Sequence, residues 1–326
     1  MYSTEAAKIA EEAGLHPGRA NLEEYADTLA SLAKADRNVL AVTSDSRGSG
    51  KLGPFAKAFP GQLVEVGIAE QDLVGIAAGL ASCGKTVFAT SPACFLTARS
   101  FEQIKVDVAY SNNPVVLVGI SAGVSYGALG TTHHSLHDFA ALRAVNNLVI
   151  VAPADNYETR EAVRAAAALR KPVYLRFGKS PLYDLPASPE PFALGRARTL
   201  REGRDLAFIA TGETVIHALL AAELLKRKSG VDCRVLSVHT IKPFDTATVL
   251  AAAGDCGAVI TVEEHLANGG LGEAAASAIA QAGLGTRFRI VAIPDEETVT
   301  GSQADIFRHY GISMEGLAQK ALQLLA

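Results

Sequence analysis

Val64-Glu65-Val66-Gly67-Ile68-Ala69-Glu70-Gln71, running on into Gly75-Ile76-Ala77-Ala78-Gly79-Leu80, is the stretch from which the fold can be read. A short apolar run gives way to a turn, and a carboxylate then opens a segment of small residues at helical spacing. Strand, turn and helix in that order form the repeating unit of α/β sheets. Glu70 is costly there, because a carboxyl in apolar surroundings must be paired, hydrogen-bonded or kept protonated. Two readings of it stay open on spacing alone. One is an acid retained for chemistry; the other is an exposed glutamate stabilising the positive end of the helix it begins.

Outward from this stretch the same rhythm repeats. Strands are expected at Asn38–Thr43, Leu63–Val66, Thr86–Thr90, Val115–Ile120, Leu148–Val151 and Val173–Arg176. Helices are expected at Leu73–Cys83, Phe95–Tyr110, Leu136–Val145 and Asn156–Leu169. The strand runs are continuously Val/Ile/Leu-rich, as in a mostly parallel sheet buried on both faces. Prolines at 181, 186, 189 and 191 then interrupt the pattern and mark a linker. Beyond it, strands are expected near Leu206–Ala210, Cys233–Val238, Ala258–Val262 and Arg289–Ile293. The division is therefore an N-terminal extension (1–19), a first α/β domain (20–182), a linker (183–195) and a smaller α/β domain (196–326).

Composition narrows the function. The chain has 326 residues, enough for two substantial cores, and 49% are hydrophobic with no Trp. A net charge of −4 and the lack of any Lys/Arg run argue against a nucleic-acid surface. Cys83, Cys94, Cys233 and Cys256 are scattered, so neither a zinc site nor a disulfide framework is indicated. The first twenty residues lack the apolar core of a signal peptide, and no run is long enough for a membrane span. A cytoplasmic protein is expected, with no nucleic-acid or membrane partner.

The string around Glu70 resembles the glutamate motif of thiamine-diphosphate enzymes of the transketolase type. The resemblance covers nearly the whole chain from about Asn21 and implies a pyrimidine-binding domain followed by a transketolase C-terminal domain. In that family the glutamate hydrogen-bonds N1′ of the cofactor's aminopyrimidine. The bond favours the imino tautomer that takes the C2 proton of the thiazolium, and the ylide then attacks a ketone. Glu70 inherits that role by resemblance.

Other residues acquire roles in the same way. Thr43-Ser44-Asp45-Ser46-Arg47-Gly48-Ser49-Gly50 is a Ser/Gly-rich turn after a strand, where open α/β sheets place ligands, although many such turns merely connect elements. The resemblance puts Asp45 near the cofactor and Ser49 on a substrate phosphate. In Phe95-Leu96-Thr97-Ala98-Arg99-Ser100-Phe101-Glu102 an aromatic is ordinarily core, which is expected of Phe101. The family stacks a phenylalanine from this segment on the aminopyrimidine, and Phe95 matches it. Arg99 is expected to pair with a carboxylate such as Glu102 on its own helix.

Gly130-Thr131-Thr132-His133-His134-Ser135-Leu136-His137 holds three of the eight histidines but no complete ligand set for a metal. Ser135 reads as a helix cap. By resemblance His133 faces the reacting carbonyl and hydroxyl of a sugar and donates to the developing oxyanion. Leu129 and Ser121 stand where transketolases place groups that grip the sugar hydroxyl and phosphate, so the usual sugar phosphates are in question. Arg176-Phe177-Gly178-Lys179 brackets a glycine with two cations. The family's phosphate-binding arginine maps to Lys179 first and Arg176 second. Glu263-Glu264-His265 with Asn268-Gly269-Gly270 is expected to be architectural.

The family's diphosphate site, Gly-Asp-Gly followed by Asn, binds the cofactor through Mg²⁺ and has no counterpart here; Gly254-Asp255-Cys256 does not fit. The resemblance therefore implies the C-terminal subunit of a split transketolase. A separate N-terminal subunit would supply the Mg²⁺ ligands, in an α2β2 assembly acting on a sugar or sugar phosphate. The expected reaction is two-carbon ketol transfer from a ketose to an aldehyde. Alternatives are a 2-oxo-acid dehydrogenase E1 β-like or deoxyxylulose-phosphate-synthase-like subunit, and a non-catalytic scaffold.

Overall fold

The apolar runs become strands buried on both faces. The computed structural model describes residues 2–189 and 191–326. In chain order the strands are β1 (Pro17–Ala20), β2 (Val39–Thr43), β3 (Leu63–Glu65), β4 (Thr86–Pro92), β5 (Val115–Ile120), β6 (Val149–Val151), β7 (Val173–Arg176) and β8 (Pro181–Tyr183). They continue with β9 (Arg198–Arg201), β10 (Leu206–Ala210), β11 (Cys233–Ser237), β12 (Thr240–Lys242), β13 (Ala258–Leu266) and β14 (Arg287–Ile293). A seven-stranded sheet runs β12-β6-β7-β5-β4-β2-β3, and a five-stranded sheet runs β14-β13-β10-β11-β9. Both are parallel except at one edge, where β12 and β9 are antiparallel.

Alternation along each strand sorts side chains between two layers. Val87, Ala89, Val115 and Leu117 face a core shared with the helix Glu70–Ser82. Phe88, Val116 and Val118 face the helices Asn21–Ala35 and Asn156–Leu169. The first of these cores continues into Ala207, Ile209 and Leu236 of the second sheet, so the two halves share buried apolar surface.

Several local expectations need correction. The helix expected over Phe95–Tyr110 is broken into Ala93–Arg99, a turn at Phe101–Gln103 and a π-helical stretch Ile104–Tyr110. Thr97 Oγ1 and Ser100 Oγ each donate to the carbonyl four residues back, Ala93 and Leu96. Such back-bonding bends a helix, and Ser100 leaves helical geometry. The helix expected at Leu136–Val145 shortens to Asp138–Arg143. Ser135 does not cap it: its backbone pairs with Gly123 in an isolated bridge instead. The proline-rich linker begins with β8, which pairs with β1 from the N-terminal extension. That extension also forms the helix Thr4–Glu12, whose Ala6, Ile9 and Ala10 pack into the core of the second domain. Two edge strands, β9 and β12, escaped the sequence reading because they are short and carry charged or polar residues.

Between the halves lies a buried polar seam. Gln303 Nε2 donates to Glu213 Oε2 and to Glu264 Oε1, each at 2.8 Å, and Glu264 Oε1 also accepts the Val124 amide at 2.9 Å. Both carboxylates lie against glycines of the first domain, Gly178 and Gly123, where any Cβ would overlap them. Burial and the nearby Glu264 push Glu213 up to about 8, and burial, with Asp138 adding to it, pushes Glu264 up to about 7 against the pull of Arg176.

Candidate active site

Open α/β sheets bind ligands beyond the carboxyl ends of their strands, where strand order reverses. Here β3 lies on one side of β2, while β4 and the strands after it lie on the other. The residues singled out in the sequence leave the ends of these same strands: Asp45 and Ser49 after β2, Glu70 after β3, Phe95 after β4, and Lys179 after β7. The sheet order accounts for their clustering without further assumption.

Glu70 is the first residue of its helix, reached through Gly67, whose φ of +73° a side chain would resist. Its side chain is only 7% exposed. One carboxylate oxygen accepts from Arg99 Nη1 at 2.8 Å, so the expected pairing of Arg99 with Glu102 is not found. The Arg99 guanidinium carbon also stands 4.1 Å from the centre of the Phe95 ring. Phe95 in turn meets the His133 ring edge-on at 5.3 Å, and Tyr126 meets His133 at the same distance. Thr132 Oγ1 and His133 Nδ1 share a hydrogen bond of 2.9 Å, which engages one ring nitrogen and leaves the other uncommitted. Glu70, Arg99, Phe95, His133 and Tyr126 thus form one continuous row of contacts. Lys179 Nζ extends it, 4.6 Å from the Tyr126 ring centre.

The turn after β2 is held from a neighbouring strand. Glu65 Oε1 accepts from the amides of Asp45 (2.7 Å) and Gly67 (3.1 Å), and its other oxygen meets Arg47 Nε at 3.2 Å. One carboxylate therefore ties the Asp45 turn to the turn that delivers Glu70. Asp45 itself is exposed with φ +52°, and half-buried Ser49 Oγ donates to Ser46 O at 3.2 Å. Neither touches the Glu70–His133 row through a direct hydrogen bond among the described residues.

Arg176, the second choice for an anion clamp, lies inside the protein. Its Nε donates to Asp138 Oδ2 at 2.8 Å, and Nη2 donates to the carbonyls of Ser135 and Glu264 at 3.2 and 2.8 Å. The pair is nearly fully buried, and Tyr174 donates to the same carboxylate oxygen at 2.8 Å. Arg176, with His265 nearby, holds Asp138 below the usual carboxylate range despite its burial. Arg176 is thus committed to the seam, and Lys179 is the cation left facing the site. His134 is also internal, sharing a 2.9 Å hydrogen bond with Gly127 O, and burial lowers its pKa.

Two hollows flank Arg99. One of about 480 Å³ is lined by Ile68, Glu70, Asp72 and Arg99. The other, of about 530 Å³, is lined by Phe95, Arg99, Thr132 and His137 together with Asp295 and Glu296 of the second domain. A larger groove of about 770 Å³ between Phe101 and Asn147 shares none of the site residues. Leu129 is 55% exposed, while Ser121 is buried with φ +53°.

The arrangement suits the aminopyrimidine end of thiamine diphosphate. Glu70 offers a nearly buried acceptor and Phe95 a flat face one helix away, already taking a planar nitrogen group in Arg99. No group of three or more His, Cys, Asp or Glu among the described residues is placed to hold a metal ion. Glu65 and Tyr126 drew no role from sequence reasoning, and Arg99 was expected to pair with a carboxylate such as Glu102. The signal for Glu65 was its place two residues before the turn glycine.

The family model described as the transketolase pyrimidine binding domain matches residues 19–183, and that of the transketolase C-terminal domain matches 195–317. Fold and family models together define the class: the pyrimidine-binding and C-terminal pair of α/β domains of a transketolase-type subunit. A subunit of the apulose-4-phosphate transketolase of Phocaeicola vulgatus is 48% identical over 304 residues, covering 93% of this chain and 96% of that protein. The 6-deoxy-6-sulfo-D-fructose transketolase subunit SqwH of Clostridium sp. (strain MSTE9) is 37% identical, over 79% of this chain and 80% of its own length. A solved structure described as "Split gene transketolase, inactive beta4 tetramer" matches with a TM-score of 0.83 at 32% identity, over 94% of this chain and 98% of that one. The chain belongs to the transketolase family.

Proposed function

We propose that this chain is the C-terminal subunit of a split transketolase, moving a two-carbon ketol unit from an anionic ketose to an aldehyde. The observation that carries this is the row of contacts from Glu70 through Phe95 to His133 at the strand ends. When bound, thiamine diphosphate supplies the carbon nucleophile and the electron sink that the protein lacks. Glu70, nearly buried, would hold a hydrogen bond to the aminopyrimidine and share its proton. Phe95 would offer the flat face on which that ring stacks. His133, with Nδ1 engaged by Thr132, presents its other nitrogen to the substrate oxygen that gains negative charge. Lys179 and Ser49 bind the substrate's anionic end, and Asp45 lies beside the cofactor.

An N-terminal subunit is assigned the diphosphate and the Mg²⁺ ligands, in an α2β2 assembly. Ile68 and Ile76, 75% and 40% exposed beside Glu70, leave apolar surface for such a partner to cover. The naming of the relatives as subunits supports the same arrangement. Two of them act by name on sugars with an anionic group, a phosphate or a sulfonate, which favours an anionic ketose here.

The test is ketol transfer by this chain mixed with its N-terminal partner, thiamine diphosphate and Mg²⁺. Glu70→Gln is expected to lower turnover by about 10²–10⁴-fold, with assembly by size-exclusion chromatography unchanged. Full turnover by the variant removes the assignment and leaves a scaffold as the better reading.

A further inference from the structure

Arg99 makes with Glu70 and Phe95 the two contacts that the proposed function reserves for the cofactor. Its guanidinium is planar, carries N–H donors and lies 4.1 Å from the Phe95 ring centre, while Nη1 donates to Glu70 Oε1 at 2.8 Å. In shape and hydrogen-bonding sense it imitates a protonated aminopyrimidine: a flat cationic group with one face on an aromatic and one edge on a carboxylate. The guanidinium is also free to leave. The Arg99 side chain is 49% exposed against 7% for Glu70, and it stands on the wall between two hollows. Its backbone is fixed separately, by Gln71 Nε2 donating to the Arg99 carbonyl at 3.1 Å, so the side chain can swing without moving the helix.

We infer that Arg99 is a displaceable placeholder: it occupies the aminopyrimidine position in the free subunit, keeps buried Glu70 paired, and must swing out when thiamine diphosphate enters. This rests on the assignment of Glu70 and Phe95 to the cofactor. A buried carboxylate without a partner is unfavourable, so a chain that folds before meeting its cofactor gains from an internal stand-in. The cofactor then competes with a side chain rather than with water, and its apparent affinity is reduced by the fraction of molecules in which Arg99 is docked.

The test is the dissociation constant of thiamine diphosphate, by titration calorimetry, for the complex with the N-terminal subunit in the presence of Mg²⁺. Wild type, Arg99→Met, Arg99→Lys, Glu70→Gln and Phe95→Ala are compared, each with folding checked by circular dichroism. Arg99→Met, which keeps the stem but neither charge nor plane, is expected to bind about 3–10-fold more tightly than wild type. Arg99→Lys, which can pair with Glu70 but not stack flat on Phe95, is expected to fall between. If Glu70→Gln and Phe95→Ala weaken binding while Arg99→Met is unchanged or weaker, the site stands and the placeholder is overturned. If Met binds more tightly but Lys equals wild type, charge alone explains the effect and the stacked placeholder is overturned. If no form binds, or Glu70→Gln and Phe95→Ala match wild type, the cofactor assignment fails and the placeholder falls with it.

Discussion

His133 has the most exacting position of any residue in the row, because it is held by aromatic edges on two sides and by Thr132 on one nitrogen. His133→Ala is therefore expected to lower kcat/KM for ketol transfer by about 10²–10³-fold and to leave thiamine diphosphate affinity within a few-fold. Steady-state kinetics beside calorimetry separates the two. Glu65 acts at one remove, through the amides of Asp45 and Gly67. Glu65→Ala should cost about 1–2 kcal/mol of unfolding free energy, read from urea melts, because two turn amides lose a charged acceptor at a partly exposed site. At this scale the sequence was legible where a motif is contiguous: Glu70, Phe95 and His133 each sit in a short recognisable string. The Glu70–Arg99 pair was not, because its members are 29 residues apart, one opening the helix after β3 and the other ending the helix after β4. A local rule pointed Arg99 to Glu102 instead. Arg176 misled for the opposite reason: a cation at a strand end is as compatible with a buried ion pair as with a ligand, and only the partner Asp138 decides.

Elements are tuned by small residues where the two halves meet. Gly178 and Gly123 have no side chains because Glu213 and Glu264 fill that space. Gly178→Ala is expected to destabilise the protein by about 1–3 kcal/mol through overpacking. Adding Glu213→Ala should return much of that loss, a double-mutant cycle that thermal melts can read. The parallel strands were legible because burial on both faces leaves an uninterrupted apolar signature. The helix after β4 was misjudged because Thr97 and Ser100 divert carbonyls from the regular ladder, a three-dimensional event with no periodic trace. The π-helical stretch that follows buries Ile104, Val108 and Ala109 in the core that holds Leu73, Val74 and Ala77 of the Glu70 helix.

Over the whole molecule, buried acids of the seam and Glu263, which accepts the Leu271 and Gly272 amides inside the second domain, couple stability to pH. Glu213, Glu264 and Glu263 have pKa values raised to about 8, 7 and 7 from 4.5, chiefly by burial. The folded state therefore holds protons that the unfolded chain has released. Their contribution is complete below about pH 4.5 and is lost as pH rises through 7 to 8. Asp138, held low by Arg176 and His265, works in the opposite sense and loses its contribution in acid. Arg176 and Gln303 also face the pair and moderate its repulsion. Glu213→Gln is expected to flatten the alkaline side of the profile, raising the melting temperature at pH 8.5 by a few degrees and leaving it little changed at pH 5. Scanning calorimetry across that range checks the sign. The two-domain plan was legible from the prolines and the renewed apolar rhythm. The seam was not: Glu213 drew no reading, and Glu264, expected to be architectural, gave no sign of Gln303 and Val124 as its partners.

β12 belongs by sequence to the second half yet closes the edge of the first half's sheet against β6. Lys242 reinforces the join by donating to the Arg143 carbonyl at 3.1 Å. The proline-rich segment is thus a poor place to divide the polypeptide. Scissors applied there would strip a strand from the larger sheet and bare a row of unsatisfied amides and carbonyls, a template for self-association. The two halves are consequently not interchangeable modules: a chimera with a foreign second half would inherit a new border strand along with it.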